Sequence, residues 1–200
     1  ASGTPRQDGV RPDVSLPGAV TVREWPHEAR RGAPDPVISP AARPRLSFCL
    51  PTRGAPGRVR HLLALLRPIA DEVVLAVDAS GDTSVLGSCR ELYDRGVTYR
   101  GAPPAARILG FVYAQCTGEW IFRLDDDEVP SAALLARLPE LVEDRRVSAF
   151  SFRRRWLWPR SDAYLASNPW TPDFSRRLVR NVTGLFSFRG ILHHDAEVVG

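Results

Sequence analysis

Short apolar runs alternate with helical patterns over residues 45–145 of the chain. The apolar runs predict buried β-strands at residues 46–50, 73–77, 97–100 and 120–124. Between and after them, apolar residues at helical spacing predict helices at about residues 57–70, 86–95, 104–117 and after Ser131. Strands that alternate with helices are typical of a mainly parallel sheet covered by helices. The pattern therefore predicts an α/β fold.

Local signals mark the ends of these helices. Gly96 and Gly118 are expected to stop the helices that precede them, and Ser131 is expected to cap the N-terminus of the last one. Beyond residue 145 the apolar pattern alternates and predicts strands over 147–156, 176–180 and 185–192. We expect a mixed β part at the C-terminal end of the same domain.

Residues 1–44 differ in composition from the rest of the chain. They hold eight of the eighteen prolines and only short apolar clusters. This composition predicts an extended arm or linker, with a disordered tail as the alternative. The expected organisation is a proline-rich arm over 1–44 followed by one domain over 45–200, which fits a chain of 200 residues.

Composition narrows the class of protein further. The chain is 44% hydrophobic and 25% charged, as globular proteins are, and no apolar run approaches the roughly 18 to 20 residues that span a bilayer. All 27 basic residues are arginine, which grips phosphate bidentately. Three widely spaced cysteines argue against a disulfide framework and favour a reducing compartment. We expect a cytoplasmic protein without a transmembrane segment.

Polar residues follow three of the predicted strands. They are Pro51-Thr52-Arg53, Asp78-Ala79-Ser80 and the acidic run Asp125-Asp126-Asp127-Glu128. In open α/β sheets, ligands bind at the carboxyl ends of the strands, so these three points should lie along one edge. Four adjacent acids repel one another unless a cation neutralises them, and oxygen-rich sites suit Mg²⁺ or Mn²⁺ holding phosphates. A solvated acidic turn, or a charge at a helix N-terminus, is the alternative.

Two other clusters have both structural and functional interpretations. His194 beside Asp195 could complete a metal site or supply a base, or could form a polar turn. Arg153 to Arg155, followed by Trp156 and Trp158, could bind nucleic acid, but alternation along a strand accounts for the same pattern. We expect no nucleic-acid partner.

Five segments, in order and spacing, resemble the family 2 glycosyltransferases of the GT-A fold. Residues 106–107 with 118–128 look like an arginine-bearing helix followed by a strand and the D-x-D motif, and 46–53 and 71–82 look like the first two strands and their turns. Residues 170–180 and 188–195 are similar to elements of the lipopolysaccharide-core-type glucosyltransferase branch. The resemblance implies a GT-A nucleotide-diphospho-sugar transferase fold over residues 45–195.

The resemblance also implies roles for particular residues. Seven residues would contact the nucleotide sugar, namely Pro51, Thr52, Arg53, Asp78, Arg107, Asp125 and Asp126. Asp125 and Asp127 would bind the divalent metal, Mn²⁺ or Mg²⁺, and His194 or its neighbour His193 would complete the metal site. Asp195 is the first candidate for the catalytic base and Asp173 the second.

The function that the resemblance implies is transfer of a sugar from a nucleoside-diphosphate sugar, with inversion, to an acceptor hydroxyl. The acceptor would be a glycan, a lipid-linked molecule or a small molecule, and a lipid-linked one would bring the protein to a membrane. A sugar nucleotidyltransferase is the alternative enzyme, and a non-catalytic nucleotide-sugar or polysaccharide-binding module is the alternative outside enzymes.

Overall fold

The computed structural model describes residues 22–24, 45–100, 105–187 and 197–198. The chain forms two compact units, one of residues 1–30 and 153–174, and a larger one of residues 31–152 and 175–200. No helix in the described part of the chain is both long enough and apolar enough to cross a bilayer.

The described residues form ten strands, four helices and one 3₁₀ turn along the chain. The strands are β1 (Val22–Glu24), β2 (Leu46–Thr52), β3 (Glu72–Asp78), β4 (Arg95–Tyr99), β5 (Trp120–Arg123), β6 (Ala149–Arg154), β7 (Ala163–Leu165), β8 (Asp173–Arg180), β9 (Phe186–Ser187) and β10 (Glu197–Val198). The helices are α1 (Pro56–Leu66), α2 (Ser84–Ser88), α3 (Ala105–Tyr113) and α4 (Ala132–Glu143), with a 3₁₀ turn at Arg90–Leu92.

A six-stranded sheet forms the centre of the larger unit, in the order β4-β3-β2-β5-β8-β6. The strands β4, β3, β2 and β5 are parallel, and β8 runs antiparallel to β5. A short antiparallel pair, β9 with β10, follows. The predicted α/β class, with a mainly parallel sheet, flanking helices and a mixed β end, is confirmed.

The core lies where α1 and α4 pack on the central strands. Every residue of β3 is buried, as expected for a strand covered on both faces. Helix α1 begins with Pro56, whose fixed φ suits the first helical position, and it buries one face made of Val59, Leu62, Leu63 and Leu66. The rings of Phe48 and Phe122 meet edge to face across β2 and β5, 5.3 Å apart. This packing fixes the three strands whose ends carry the polar residues.

A buried carboxylate ties the opposite edge of the sheet together. The Glu72 side chain accepts hydrogen bonds from the Ser47 hydroxyl and from the Thr117 backbone N–H, the latter at 2.7 Å. Burial opposes ionisation of Glu72, but these hydrogen bonds outweigh it and lower its pKa. Gly118 lies against the same group, because a Cβ there would come within 2.6 Å of the Ser47 hydroxyl oxygen. This close approach needs glycine.

Two of the predicted helix ends are wrong and one is confirmed. Helix α3 ends at Tyr113, and Gly118 serves the close approach to Ser47 rather than a helix stop. The helix expected over 86–95 is replaced by α2 and the 3₁₀ turn, and Gly96 lies inside β4. The cap at Ser131 is confirmed, since its hydroxyl accepts the Leu134 backbone N–H at 3.2 Å.

The smaller unit contains an antiparallel pair of strands. Strand β1 pairs with β7, with Val22 opposite Leu165. An isolated bridge joins Leu157 to Tyr164 next to this pair. The rest of the proline-rich segment, residues 1–21 and 25–44, lies outside the described residues, so the arm remains a prediction.

Candidate functional site

The three polar strand ends lie along one edge of the sheet. Strands β3, β2 and β5 are adjacent and parallel, and Thr52 stands opposite Val77, one residue before Asp78. The acidic run follows directly after β5. The sequence-based placement of these segments on a common edge is confirmed.

Thr52 links the end of β2 to the acidic run. Its side chain is buried, and its hydroxyl donates a hydrogen bond to the Asp126 carboxylate while accepting the Gly54 backbone N–H at 2.9 Å. Pro51, one residue earlier, is half-buried opposite Ala76. Thr52 therefore fixes the position of Asp126.

Asp78 ends β3 with a buried carboxylate. One oxygen accepts the backbone N–H and the hydroxyl of Ser80, at 2.9 and 2.7 Å, so this oxygen shapes the turn. The other oxygen lies 3.7 Å from the Arg53 Nε, and the Arg53 side chain is 77% exposed. One Asp78 oxygen thus makes the contacts expected of a turn residue, while the other lies near the exposed Arg53 side chain.

Backbone contacts hold the loops after β2 and β3 together. The Asp82 N–H donates to the Arg53 carbonyl at 2.9 Å. Gly54 has a φ of 91°, and a Cβ there would lie 2.4 Å from the Asp82 carbonyl oxygen. At Gly81 a Cβ would lie 1.8 Å from the Arg53 carbonyl oxygen. A side chain at either glycine would push the two loops apart, so glycine at both positions allows the loops to pack against each other.

Arginines neutralise part of the acidic run. The Asp125 carboxylate lies 3.1 Å from Arg123 Nη1 and 2.9 Å from Arg177 Nη2. Arg177 is buried and also contacts the Glu128 carboxylate, which accepts the Asp125 backbone N–H at 3.1 Å. Guanidinium groups thus supply positive charge beside Asp125 and Glu128, and the metal ion that the sequence predicted at this run stays a prediction.

Asp126 and Asp127 line a surface pocket of about 250 Å³. Helix α1 provides the other wall, with Gly57, Arg58, His61 and Leu62, and Val129 closes the pocket. Arg58 Nη2 lies 3.7 Å from an Asp126 oxygen, and the Arg58 side chain is 62% exposed. Asp127 is exposed. The pocket therefore combines carboxylates with an arginine and a histidine.

Tyr99, at the end of β4, lies in the electrostatic field of this edge. Burial, together with the nearby Asp78 charge, raises the pKa of Tyr99 to about 12, and Asp126 and Asp125 add to the shift. Tyr99 stands opposite Asp78 in the sheet. Its hydroxyl therefore stays protonated at neutral pH and can donate a hydrogen bond.

Of the remaining predicted site residues, only Asp173 has a described side chain. Asp173 belongs to the smaller unit, where its carboxylate accepts two hydrogen bonds from Arg154, at 3.1 and 3.2 Å, and one from the Trp156 indole at 2.7 Å. The Arg107 backbone lies in α3, but its side chain is outside the described residues, as are His193, His194 and Asp195.

Among the residues with described side chains, no three His, Cys, Asp or Glu residues are grouped to hold a metal ion. Mg²⁺ is commonly held by one or two carboxylates together with substrate phosphates and water. The exposed Asp127 carboxylate and its neighbour Asp126 fit that kind of donor set. They do not form an all-protein cage.

The sequence reasoning missed several residues of this edge, namely Arg58, His61, Tyr99, Arg123 and Arg177. Arg58 and His61 are three residues apart on a helix that starts just after the polar end of β2, so spacing could have identified them. No sequence signal pairs Arg177 with Asp125, since 52 residues separate them.

Comparisons with known proteins identify no family. No family model matches the chain, and no curated protein matches it. A mannosyltransferase from Pyrobaculum calidifontis, solved with GDP-Man and Mn²⁺, is 24% identical with a TM-score of 0.47, over 61% of this chain and 38% of that one. This chain thus spans well under half of that protein.

Two nucleotidyltransferase structures are also similar. A CMP:2-keto-3-deoxy-manno-octonic acid synthetase complexed with CTP is 13% identical with a TM-score of 0.41, over 68% of this chain and 71% of that one. A 2-C-methyl-D-erythritol 4-phosphate cytidylyltransferase from Thermus thermophilus is 13% identical with a TM-score of 0.39, over 70% of this chain and 71% of that one. At these TM-scores the similarities assign no ligand or activity.

Proposed function

We propose that the chain is a metal-dependent glycosyltransferase that moves a sugar from a nucleoside-diphosphate sugar to an acceptor hydroxyl. The observation that carries the proposal is the contact between Thr52 and Asp126, which joins the end of the first central strand to the acidic run. The same edge carries Asp78 and the pocket between α1 and the run. The resemblance of these segments to family 2 glycosyltransferases supports the proposal, while the lipopolysaccharide-core-type branch remains a prediction.

In this proposal, Asp78 and its neighbours bind the nucleoside. The Asp78 oxygen that faces Arg53 accepts hydrogen bonds from ribose or base once the exposed Arg53 side chain moves aside. Pro51 and Thr52, at the end of the adjacent strand β2, would lie beside the nucleoside, and the Tyr99 hydroxyl would donate from the neighbouring strand β4. Arg107 remains proposed for the diphosphate.

Asp127 is the carboxylate that we assign to the metal. It is exposed, whereas Asp125 lies within 3.1 Å of two guanidinium groups. Asp125 therefore acts by positioning the run, and Asp126, held by Thr52, faces the ribose or the metal. A bound Mn²⁺ or Mg²⁺ would supply positive charge for the departing diphosphate. His193 and His194 stay proposed as further ligands.

The catalytic base is proposed to be Asp195, with Asp173 as the second candidate. A base must accept the acceptor proton through a free oxygen lone pair within hydrogen-bond reach. Arg154 and the Trp156 indole donate three hydrogen bonds to the Asp173 carboxylate, so most of its acceptor positions are already used. The contacts of Asp173 therefore favour Asp195 as the base. In this proposal the sugar is displaced in one step, with inversion at the anomeric carbon.

A sugar nucleotidyltransferase is the second candidate, and one observation favours it. The loop after β2 carries Arg53 and Gly54, and the first turn of α1 carries Gly57 and Arg58. Together they form a short version of a glycine-rich basic segment that could hold a nucleoside triphosphate. The enzyme of this class would release pyrophosphate.

Product analysis separates these candidates. The full chain is incubated with Mn²⁺ and a panel of nucleoside-diphosphate sugars and acceptors, or with nucleoside triphosphates and sugar phosphates. Release of a nucleoside diphosphate together with a glycosylated acceptor supports the glycosyltransferase. Release of pyrophosphate supports the nucleotidyltransferase. Binding of a nucleotide sugar without turnover across the panel would contradict both and favour a binding module.

A further inference from the structure

The smaller unit exposes three consecutive large apolar side chains. Trp156, Leu157 and Trp158 are 39%, 49% and 47% exposed. Single exposed apolar residues are common on protein surfaces, but contiguous ones mark interaction sites. With the exposed residues Arg153, Arg155 and Arg160, they form what we call the tryptophan–arginine surface.

The backbone of this surface is held in place by hydrogen bonds. The Leu165 N–H donates to the Trp156 carbonyl at 2.9 Å, and the Trp158 N–H donates to the Ala163 carbonyl at 3.0 Å. The Trp156 ring meets the Trp170 ring edge to face, with centroids 5.3 Å apart. An ordered turn thus carries the apolar side chains. Because its backbone is already fixed, less conformational entropy is lost when a partner binds.

The charge of the surface is positive. Residues 153–174 contain four arginines and two aspartates. Both aspartates face guanidinium groups, Asp162 at 2.7 Å from Arg160 and Asp173 at 3.0 Å from Arg154. The exposed Arg155 guanidinium lies over the Tyr164 ring, 5.0 Å from its centroid. Because arginines outnumber acids in this segment, an anionic partner complements it.

We propose that the tryptophan–arginine surface binds the anionic surface of a lipid membrane. Tryptophan favours the boundary between water and acyl chains, because its ring is apolar and its N–H is polar. Leu157 would enter the acyl boundary, and the arginines on either side would pair with lipid phosphates. The proposal involves none of the donor-site residues, so its test is independent of the proposed function.

A nucleic acid fits the same surface less well. Leu157 has no π face on which a base could stack. The chemistry of the surface therefore favours lipid.

Vesicle binding tests the proposal with the full chain. Flotation with phosphatidylcholine vesicles that contain about one third phosphatidylglycerol should recover the protein, and pure phosphatidylcholine vesicles should recover much less. Trp158→Ala combined with Leu157→Ser should weaken partitioning about tenfold or more, from lost apolar burial. Arg153→Glu should weaken it about tenfold or more on the anionic vesicles, since the reversal removes one attraction to the lipid phosphates and adds one repulsion.

The control is Val182→Ser, which removes an exposed apolar side chain, 53% exposed, from the larger unit. It should bind vesicles as the wild type does, and circular dichroism should show all variants folded. Failure of the wild type to prefer anionic vesicles would overturn the proposal, as would equal losses in the control. Tighter binding of a single-stranded oligonucleotide than of the anionic vesicles would overturn it in favour of nucleic acid.

Discussion

The Arg177 guanidinium lies 2.9 Å from the Asp125 carboxylate, which sits 52 residues earlier in the chain. Because Arg177 is buried and also contacts Glu128, it divides the acidic run into two parts. Asp125 and Glu128 are bound to the protein's own cation, and Asp126 and Asp127 face the pocket beside α1.

Replacement of Arg177 tests this division. Arg177→Met should destabilise the fold by about 3 to 5 kcal/mol, because it removes the buried cation that Asp125 and Glu128 share and leaves Asp125 with Arg123 alone. Urea unfolding measures the loss. Arg146→Ala removes an exposed pair with Asp144, 2.8 Å apart, and should cost much less than Arg177→Met, because water screens that pair. Equal losses of unfolding free energy in the two variants would show that the Arg177 contacts stabilise the fold no more than an exposed ion pair does.

Arg58 should bind the phosphate end of the donor. Its exposed ion pair with Asp126 is weak enough to exchange, so the guanidinium can turn to a diphosphate. Arg58→Ala should weaken nucleoside-diphosphate binding by about 1.5 to 3 kcal/mol and leave nucleoside binding nearly unchanged. Calorimetric titration of both ligands measures the difference.

Arg60 provides the matched control on the same helix. It is exposed and pairs with Glu91 at 2.5 Å, apart from the residues that line the pocket. Arg60→Ala should leave diphosphate affinity unchanged. A loss as large as that of Arg58→Ala would mean that general positive charge on α1, rather than Arg58, attracts the ligand.

Asp78 should contribute to nucleoside affinity through the oxygen that faces Arg53. Asp78→Ala should weaken donor binding by about 1 to 3 kcal/mol, the range for lost hydrogen bonds to a charged group. Ser80→Ala removes the hydroxyl contact at 2.7 Å and keeps the carboxylate, so it should affect binding less. An unchanged dissociation constant in Asp78→Ala would limit Asp78 to its role in the turn.

Tyr99 should titrate later than an ordinary tyrosine. With its pKa raised to about 12 by burial and by Asp78, one phenol of the four should ionise near pH 12 in a spectrophotometric titration. The unfolded chain ionises this group near pH 10, so the folded state loses stability as pH rises from about 10 to 12. Tyr99→Phe should remove this part of the pH dependence, and the late titration should disappear with it.

The central strands and the placement of the polar ends could be predicted, because both depend on local patterns. The apolar runs at 46–50 and 73–77 correspond to β2 and β3, and the parallel arrangement brings their ends together. The pattern after Ser131 likewise identified α4 and its cap. These features follow from burial and from hydrogen bonds between residues close in sequence.

The rest depended on contacts that the sequence does not encode locally. Gly118 resembles a helix stop in sequence, but its position is set by Ser47, 71 residues away. Asp125 resembles a metal ligand, but β8 brings Arg177 to it. Asp173 resembles a possible base, but Arg154 and Trp156 hold its carboxylate. In each case a partner outside the local motif decides the environment of the residue.

The most direct test of the account is metal-dependent nucleotide binding by the full chain and by Asp127→Asn. Thermal unfolding is followed with UDP, GDP, dTDP or CDP, each with Mn²⁺ or with EDTA, and Glu119→Gln serves as the control for loss of an exposed acid outside the pocket. The account predicts that at least one diphosphate stabilises the wild type and the control in Mn²⁺, that EDTA abolishes the shift, and that Asp127→Asn loses most of it. An equal shift in EDTA, or an undiminished one in Asp127→Asn, would contradict it.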